Sequence, residues 1–179
     1  MFGDIQDMAQ GLLKAIDKNG ERYLLLVFYT LVVAVIGIEV IRRFVLSFSS
    51  IWGEEIARFA FIYLTWIGAS AGVKNRAHIR IDVIYSWVPE RHHVWLYMFA
   101  DVATMAFAFI AFYFSMIPIL TSLQFDNVTD GLRINRTFFL VAVPLGFALT
   151  MVRVVQNMIR DFSDYQAGRP VYRGKKLFE

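Results

Sequence analysis

Three ionisable residues lie inside otherwise apolar stretches of the sequence: Glu39, Arg58 and Asp101. A charge in lipid is costly, so each is a functional candidate whose partner must be identified. Glu39 lies near the end of the first apolar stretch and Arg58 near the start of the second, which places them on the same side of the membrane. We predict an ion pair between them. The alternative is that Glu39 carries a proton or a cation, but it lies only three residues before Arg42, close to the membrane surface.

Asp101 lies about two helical turns into the third apolar stretch. We interpret it as a packing residue that meets a cation near the same end of the neighbouring helices, rather than as part of an ion path. The candidate cations are Lys74, Arg76 and Arg153. At the other end, Glu54 and Glu55 open the second stretch, where the helix dipole favours carboxylates, and Glu54 is spaced to pair with Arg58.

Other chemistry finds no support in the sequence. Cysteine is absent, which excludes disulfides, thiolate metal sites and cysteine nucleophiles. His78, His92 and His93 lie at or outside the ends of the apolar stretches, whereas a haem would need histidines facing each other within the helices. No phosphate loop, nucleophile elbow or zinc helix occurs, and the net charge of +3 is spread over several short segments. We predict no enzyme, no cofactor or metal, and no nucleic-acid partner.

The elements that position these residues are membrane helices. Of 179 residues, 58% are apolar and 18% are charged. Four apolar segments are long enough to span a bilayer, at residues 23–41, 51–73, 94–123 and 137–159. A water-soluble bundle would show a polar stripe on every helix, and none is found. We predict an all-α integral membrane protein with a single domain, residues 1–179.

The segments outside the spans also have predicted roles. Residues 1–20 carry apolar residues at helical spacing, which is typical of an amphipathic helix lying on the membrane. An interfacial segment joins the second and third spans, and residues 160–179 form a tail. Thirteen Lys and Arg lie in the lead, the middle loop and the tail, against five on the other side. Because cytoplasmic segments carry the excess, we predict that both termini are cytoplasmic.

Two motifs frame the second span. Trp52-Gly53-Glu54-Glu55-Ile56-Ala57-Arg58 leads into it, and His78-Ile79-Arg80-Ile81-Asp82-Val83 follows it. With the four spans and the chain length, this pairing resembles the small membrane subunit, or Q subunit (DctQ-like), of tripartite ATP-independent periplasmic (TRAP) transporters. The structural or subunit-interface candidates are Glu39, Glu54, Glu55, Arg58, Gly68, Gly72, His78, Arg80, Asp82 and Asp101. Gly68 and Gly72, four residues apart, allow close packing within the bundle or against another subunit.

The resemblance implies one part of a three-part importer. A periplasmic binding protein delivers an organic anion to a large elevator-type membrane subunit, which carries the substrate and sodium sites. The small subunit enlarges and anchors the static scaffold in the membrane lipids. The implied partners are therefore the large subunit, in a stable heterodimer, and the binding protein, in a transient contact. No substrate, catalytic or metal site is implied in this chain, and its place is the cytoplasmic (inner) membrane of a bacterium or an archaeon.

Several alternatives stay open at this point. Residues on the outer side that a binding protein could touch are Trp52, Asp126, Asp130, Arg133 and Arg136, although a plain solvated loop explains them equally well. Sialic acid, dicarboxylates, sulfonates and compatible solutes all fit as cargo. The rival functions are a self-sufficient, proton-coupled antiporter acting as a dimer, with Glu39 as the carrier, and a haem-carrying membrane anchor.

Overall fold

The computed structural model describes residues 2–48, 50–76 and 92–169, with side chains from residue 20 onward. Its helices are α1 (Phe2–Val45), α2 (Ile51–Lys74), α3 (His93–Gln124), α4 (Thr137–Leu140) and α5 (Ala142–Gln166). Over these residues the only strand-like feature is one isolated bridge between Val128 and Asn135. The predicted all-α class is confirmed.

Four helical stretches are long and apolar enough to cross a membrane, as predicted. They are Gly20–Val45, Ile51–Lys74, His93–Gln124 and Thr137–Gln166, the last formed by α4 and α5 together. The first three agree closely with the predicted spans. The fourth reaches Gln166 rather than residue 159, so part of the predicted tail belongs to the helix.

The N-terminal lead is helical, but it is not a separate element. α1 runs for 44 residues without interruption, or about 66 Å at 1.5 Å per residue. A bilayer's hydrocarbon core is about 30 Å thick, so this helix continues well past its spanning part. The position of the lead on the membrane surface stays a prediction. The predicted interfacial segment between α2 and α3 lies in residues 77–91, outside the described residues.

Each of the last two spans contains a proline. Pro144 has no N–H to offer the carbonyl of Leu140, and the helix is interrupted at Val141 between α4 and α5. Val141 keeps helical dihedral angles, with φ −62° and ψ −26°, so α4 and α5 act as one span. Pro118 lies inside α3, which continues past it to Gln124.

The helices pack in a row rather than in a closed bundle. α1 packs along α2, α2 along α5, and α5 along α3, so the order across the row is α1, α2, α5, α3. Ala142 and Val154 of α5 are fully buried. The helices at the two ends of the row have one extensive neighbour each, and large apolar side chains such as Val27 of α1 and Phe107 of α3 are exposed.

α1 joins the row through a single stripe of side chains. From Glu21 onward, the residues that are not exposed recur at alternating intervals of four and three, which is the heptad spacing of a helix seam. They are Glu21, Leu25, Phe28, Val32, Val35, Glu39 and Arg42. The middle of the stripe is apolar and both of its ends are charged, so Glu21, Glu39 and Arg42 face the neighbouring helices.

Small residues set how closely α2 approaches its neighbours. A Cβ at Gly146 would stand 2.7 Å from Cβ of Trp66, so the α2 tryptophan packs directly on the backbone of α5. The Trp66 and Phe147 rings are also in contact, with centroids 4.7 Å apart. Toward α1 the fit is looser, because a Cβ at Gly68 would meet Leu25 Cδ2 at an ordinary 3.7 Å.

Candidate functional site

The second half of α5 presents polar side chains where a membrane helix normally packs apolar ones. Arg153, Asn157 and Asp161 are all buried, and their spacing of four residues places them on one helix face. This face meets α2 on one side and α3 on the other. The end of the row where α2 and α5 finish is therefore built around charges, and we call it the network end.

One carboxylate of α1 collects donors from two other helices. Glu21 Oε1 accepts a hydrogen bond from Arg153 Nε of α5 at 2.7 Å and from Ser70 Oγ of α2 at 3.3 Å. Lys74 Nζ, in the last turn of α2, lies 3.7 Å from Glu21 Oε2. Glu21 and Arg153 are both buried, so this contact ties α1, α2 and α5 together.

Arg76 makes the corresponding connection to α3. It follows the end of α2 with a φ of +51°, a conformation in which helices normally place glycine. Its guanidinium is only 4% exposed, pairs directly with Asp161 of α5, and lies 3.7 Å from Asp101 Oδ2 of α3. The ring of Tyr97 covers it at 4.6 Å. Asp101 thus meets one of the three cations expected from the sequence.

The contacts around Glu21 and those around Arg76 both involve the buried face of α5 and the end of α2, and together we call them the four-helix network. Its carboxylates are Glu21, Asp101 and Asp161, and its cations are Lys74, Arg76 and Arg153. Asn157 adds a hydrogen bond from Nδ2 to the carbonyl of Val73 at 2.9 Å. Each buried charge has an opposite charge in contact, which a low-dielectric setting requires. All four spanning helices contribute side chains to the network. α2 contributes Ser70 and Lys74, and Arg76 lies two positions past its end.

At the opposite end, which we call the loop end, Glu39 ties α1 to the start of α2. It accepts hydrogen bonds from Ser50 N at 3.3 Å and from the Ser50 hydroxyl, and Arg42 Nη1 lies 3.3 Å away. A Cβ at Gly53 would stand 2.8 Å from Glu39 Cδ, so only glycine leaves room for the carboxylate. Arg42 is covered by the ring of Trp52 at 5.3 Å.

The predicted pair between Glu39 and Arg58 is wrong. Arg58 Nη2 instead bonds Glu54 Oε1 at 2.9 Å on the exposed side of α2. The reason is angular: Gly53 is the α2 residue that faces Glu39, and Arg58 is five residues further, about 140° around the helix. Glu39 and Arg58 lie at similar depth in the membrane, but Arg58 does not lie on the face of α2 that meets Glu39.

Glu55 clamps the connection between α3 and α4. Its Oε1 accepts a hydrogen bond from Gly131 N at 2.7 Å, and its Oε2 accepts one from Leu132 N at 2.8 Å. A Cβ at Gly131 would stand 3.0 Å from Trp52 N, so a glycine is needed at this approach. The loop is also closed on itself, with Thr129 N bonding the Ile134 carbonyl at 2.9 Å.

The loop that Glu55 holds carries four of the five residues that, from the sequence, a binding protein could touch. Asp130 is 87% exposed and lies 3.7 Å from Arg136. Asp126 accepts a hydrogen bond from Asn135 Nδ2 at 3.1 Å, and Arg133 is exposed with a φ of +52°. Trp52 stands beside them at the start of α2. Of the remaining predicted residues, Gly72 is half-buried, and His78, Arg80 and Asp82 lie outside the described residues.

Two open grooves flank α2 at the loop end. The groove between α1 and α2 has a volume of about 580 Å³ and is edged by Glu39, Arg43 and Ser50. The groove between α2 and α3 has a volume of about 700 Å³ and is edged by Arg58, Asp130 and Arg136. Both are apolar along most of their lining, so neither resembles a polar path through the protein.

Sequence reasoning missed the partners that make these clusters. Glu21, Asn157 and Asp161 are not among the residues predicted from the sequence. The available signal was their register: Arg153, Asn157 and Asp161 follow each other at four-residue spacing. The partners of Glu55 are backbone N–H groups, which every residue type except proline has. The glycine at position 131 is therefore the only sign of this contact in the sequence.

Residues 32–164 match the family described as tripartite ATP-independent periplasmic transporters, DctQ component. The isethionate TRAP transporter permease protein DctMQ of Oleidesulfovibrio alaskensis is 25% identical over 83% of this chain and 24% of its own length. The C4-dicarboxylate TRAP transporter small permease protein DctQ of Vibrio cholerae is 27% identical, over 76% of this chain and 68% of its own. A putative TRAP transporter small permease protein of Haemophilus influenzae is 23% identical over 84% of this chain and 90% of its own length. The chain thus spans about a quarter of the first relative and most of the other two.

The network end generates a stability prediction. Asp161→Asn removes the carboxylate that Arg76 contacts most closely and leaves the buried guanidinium with the more distant carboxylate of Asp101. We expect the free energy of unfolding in detergent to fall by about 3 kcal/mol. The matched control is Asp164→Asn on the same helix, whose partner Arg169 is exposed, and we expect it to cost less than about 1 kcal/mol. Equal losses in denaturant titrations would contradict the network.

The clamp generates a second prediction. In Glu55→Gln one carboxylate oxygen becomes an NH₂ group, so one of the two backbone donors at Gly131 and Leu132 loses its acceptor. We expect amide hydrogen exchange at these residues to rise about tenfold, since a hydrogen bond to a charged group contributes about 1.5–3 kcal/mol. Glu54→Gln, which removes only an exposed pair, is the control and leaves exchange in the loop unchanged. The assignment fails if both variants behave alike.

Proposed function

The chain belongs to the DctQ component family of tripartite ATP-independent periplasmic transporters, and we propose on this premise that it is the static scaffold subunit of a sodium-coupled importer of an organic anion. It is a transporter component rather than an enzyme. With four candidate spans it is a multi-pass inner-membrane protein. In this proposal the large elevator-type subunit carries the sodium and substrate sites, and this chain anchors the part that does not move.

The observation that carries the proposal is the four-helix network. Ionisable residues inside membrane segments commonly mark ion and proton pathways, and a carrier of this kind would expose such a residue within the membrane. Among the described residues of the four spans, every carboxylate lies within about three turns of an end of its span, and each has a charged or hydrogen-bonding partner. Such an arrangement resists relative motion of the helices, which suits a scaffold and does not suit a carrier.

The shape of the row supports a stable membrane partner. α1 and α3 each have one extensive neighbour and expose large apolar side chains, so the row has free surface for further helices. DctMQ of O. alaskensis provides a second argument. The stretch similar to this chain makes up 24% of that permease, and a single polypeptide fixes a one-to-one ratio with the remainder. We propose the same ratio here, with the large subunit as a separate chain.

The loop end is the proposed contact for a binding protein. The loop at residues 125–136 is held by Glu55 and exposes both signs of charge, including Asp126 and Arg133. Mixed exposed charges favour rapid association and a transient complex rather than tight binding. This role requires the loop end to face the periplasm, which agrees with the distribution of Lys and Arg, thirteen against five.

The proposal predicts the outcome of reconstitution. An affinity-tagged chain co-purifies with one larger membrane protein in a one-to-one ratio. Liposomes that hold both, supplied with the cognate binding protein and a sodium gradient, accumulate the anion. Liposomes that hold the chain alone accumulate nothing, because its described carboxylates are paired. Accumulation by the chain alone, abolished by Glu39→Gln, would instead establish the self-sufficient antiporter.

The proposed orientation has its own test. The sequence contains no cysteine, so a single introduced cysteine is the only thiol that a reagent can label. Asp130→Cys and Ser163→Cys are a matched pair, because both positions are exposed and they lie at opposite ends of the row. We expect a membrane-impermeant maleimide to label Asp130→Cys in intact spheroplasts, and Ser163→Cys only after permeabilisation. The reverse pattern would overturn the orientation.

A further inference from the structure

The groove between α2 and α3 changes character along its length. Its floor is apolar, formed by Phe59, Ile62, Ile117, Pro118, Phe139 and Leu140. Its edge at the loop end carries two cations, Arg58 and Arg136, and two carboxylates, Asp130 and Glu55. Glu55 already accepts hydrogen bonds from Gly131 N and Leu132 N. A volume of about 700 Å³ lies within the range of ligand pockets. The groove therefore suits a molecule that is apolar at one end and charged at the other.

Both arginines keep donors for such a molecule. Arg58 is 62% exposed and contacts Glu54, while Arg136 is 52% exposed and lies 3.7 Å from Asp130. A guanidinium has five N–H donors, and these are exposed pairs of the kind that contribute little to stability. Either arginine can turn toward a phosphate without giving up a strong contact.

The charged groups are ordered by depth. Arg58 lies about 10 Å along α2 from its start, inside the spanning helix. Arg136 stands immediately before α4, and Asp130 lies further out in the connecting loop. From the bilayer outward the groove thus offers an apolar floor, then two cations, then the exposed carboxylate of Asp130, while the carboxylate of Glu55 is bonded to the loop backbone.

We propose that this groove binds one molecule of a zwitterionic phospholipid that carries a primary ammonium. The acyl chains lie on the apolar floor, the phosphate contacts Arg58 and Arg136, and the ammonium contacts Asp130. The order of charges decides between lipids: an anionic lipid without an amine leaves Asp130 facing a negative headgroup. Asp126 and Arg133, which do not line the groove, stay exposed for a soluble partner. The proposal needs only membrane residence and does not depend on the scaffold role.

Native mass spectrometry provides the first test. The full chain is released from nanodiscs that contain equal amounts of phosphatidylethanolamine and phosphatidylglycerol. We expect one retained phospholipid, with phosphatidylethanolamine preferred. The double variant Arg58→Gln/Arg136→Gln retains about tenfold less, because charge-assisted hydrogen bonds to the phosphate are lost. Asp130→Asn keeps the lipid but loses the preference.

The matched control is Arg43→Gln/Arg133→Gln, which removes the same charge from the same end without touching this groove. It retains lipid as the unmodified chain does, and circular dichroism confirms equal helix content in all variants. Equal lipid retention in the two double variants, or no retained lipid in the unmodified chain, would overturn the proposal.

A second measurement identifies the occupant in native membranes. Ile117 is exposed and lines the floor of the groove, so a photo-crosslinking benzophenone amino acid placed there reports its nearest neighbour. We expect an adduct with the mass of a single phospholipid. A crosslink to another polypeptide would show that a protein segment fills the groove, and the lipid assignment would be wrong.

Discussion

A charge inside a membrane protein must meet an opposite charge, and in this chain that constraint decides how the helices are arranged. Arg153 can be buried only because Glu21 of α1 reaches it, and Arg76 only because Asp161 and Asp101 do. The contacts require α5 to lie between α2 and α3, with α1 close enough for Glu21 to cross over. The order of the row follows from these pairings, and apolar packing such as Trp66 on Gly146 then fills the remaining length.

The two ends of the row are held by different chemistry. At the network end, side chains pair with side chains across four helices, and the αL conformation of Arg76 aims its guanidinium inward. At the loop end, Glu55 binds backbone N–H groups of the loop and Glu39 binds the start of α2. The first arrangement fixes helices relative to one another, whereas the second fixes a connection against one helix. The proposed scaffold role depends on the first arrangement, and the proposed contact with a binding protein depends on the second.

Hydropathy alone was sufficient to place the four spans, because a run of about 20 apolar residues has few other stable settings. Depth limited the predicted partners of Asp101 to Lys74, Arg76 and Arg153, and the structure shows that Arg76 is in contact with it. Depth was not sufficient for Glu39, where the angle around α2 decided the partner and gave Gly53 and Ser50 instead of Arg58. The sequence predicts the lead as a separate helix, but α1 runs through residues 18–22 although Asn19-Gly20 is a pair that favours turns. The clamp on Gly131 depends on backbone donors, which the sequence does not display.

The distance between the two charged ends of the α1 stripe also matches a particular thickness of the bilayer. Glu21 and Glu39 are 18 residues apart, five full turns, so they point the same way about 27 Å apart with no charge between them on that face. A bilayer whose core is close to that thickness leaves both carboxylates at its edges. In a thicker membrane the carboxylates would be drawn into hydrocarbon, and in a thinner one the helix would have to tilt, each at some energetic cost from hydrophobic mismatch. Lipid composition would then tune the strength of both anchoring clusters at once, without any change in the protein.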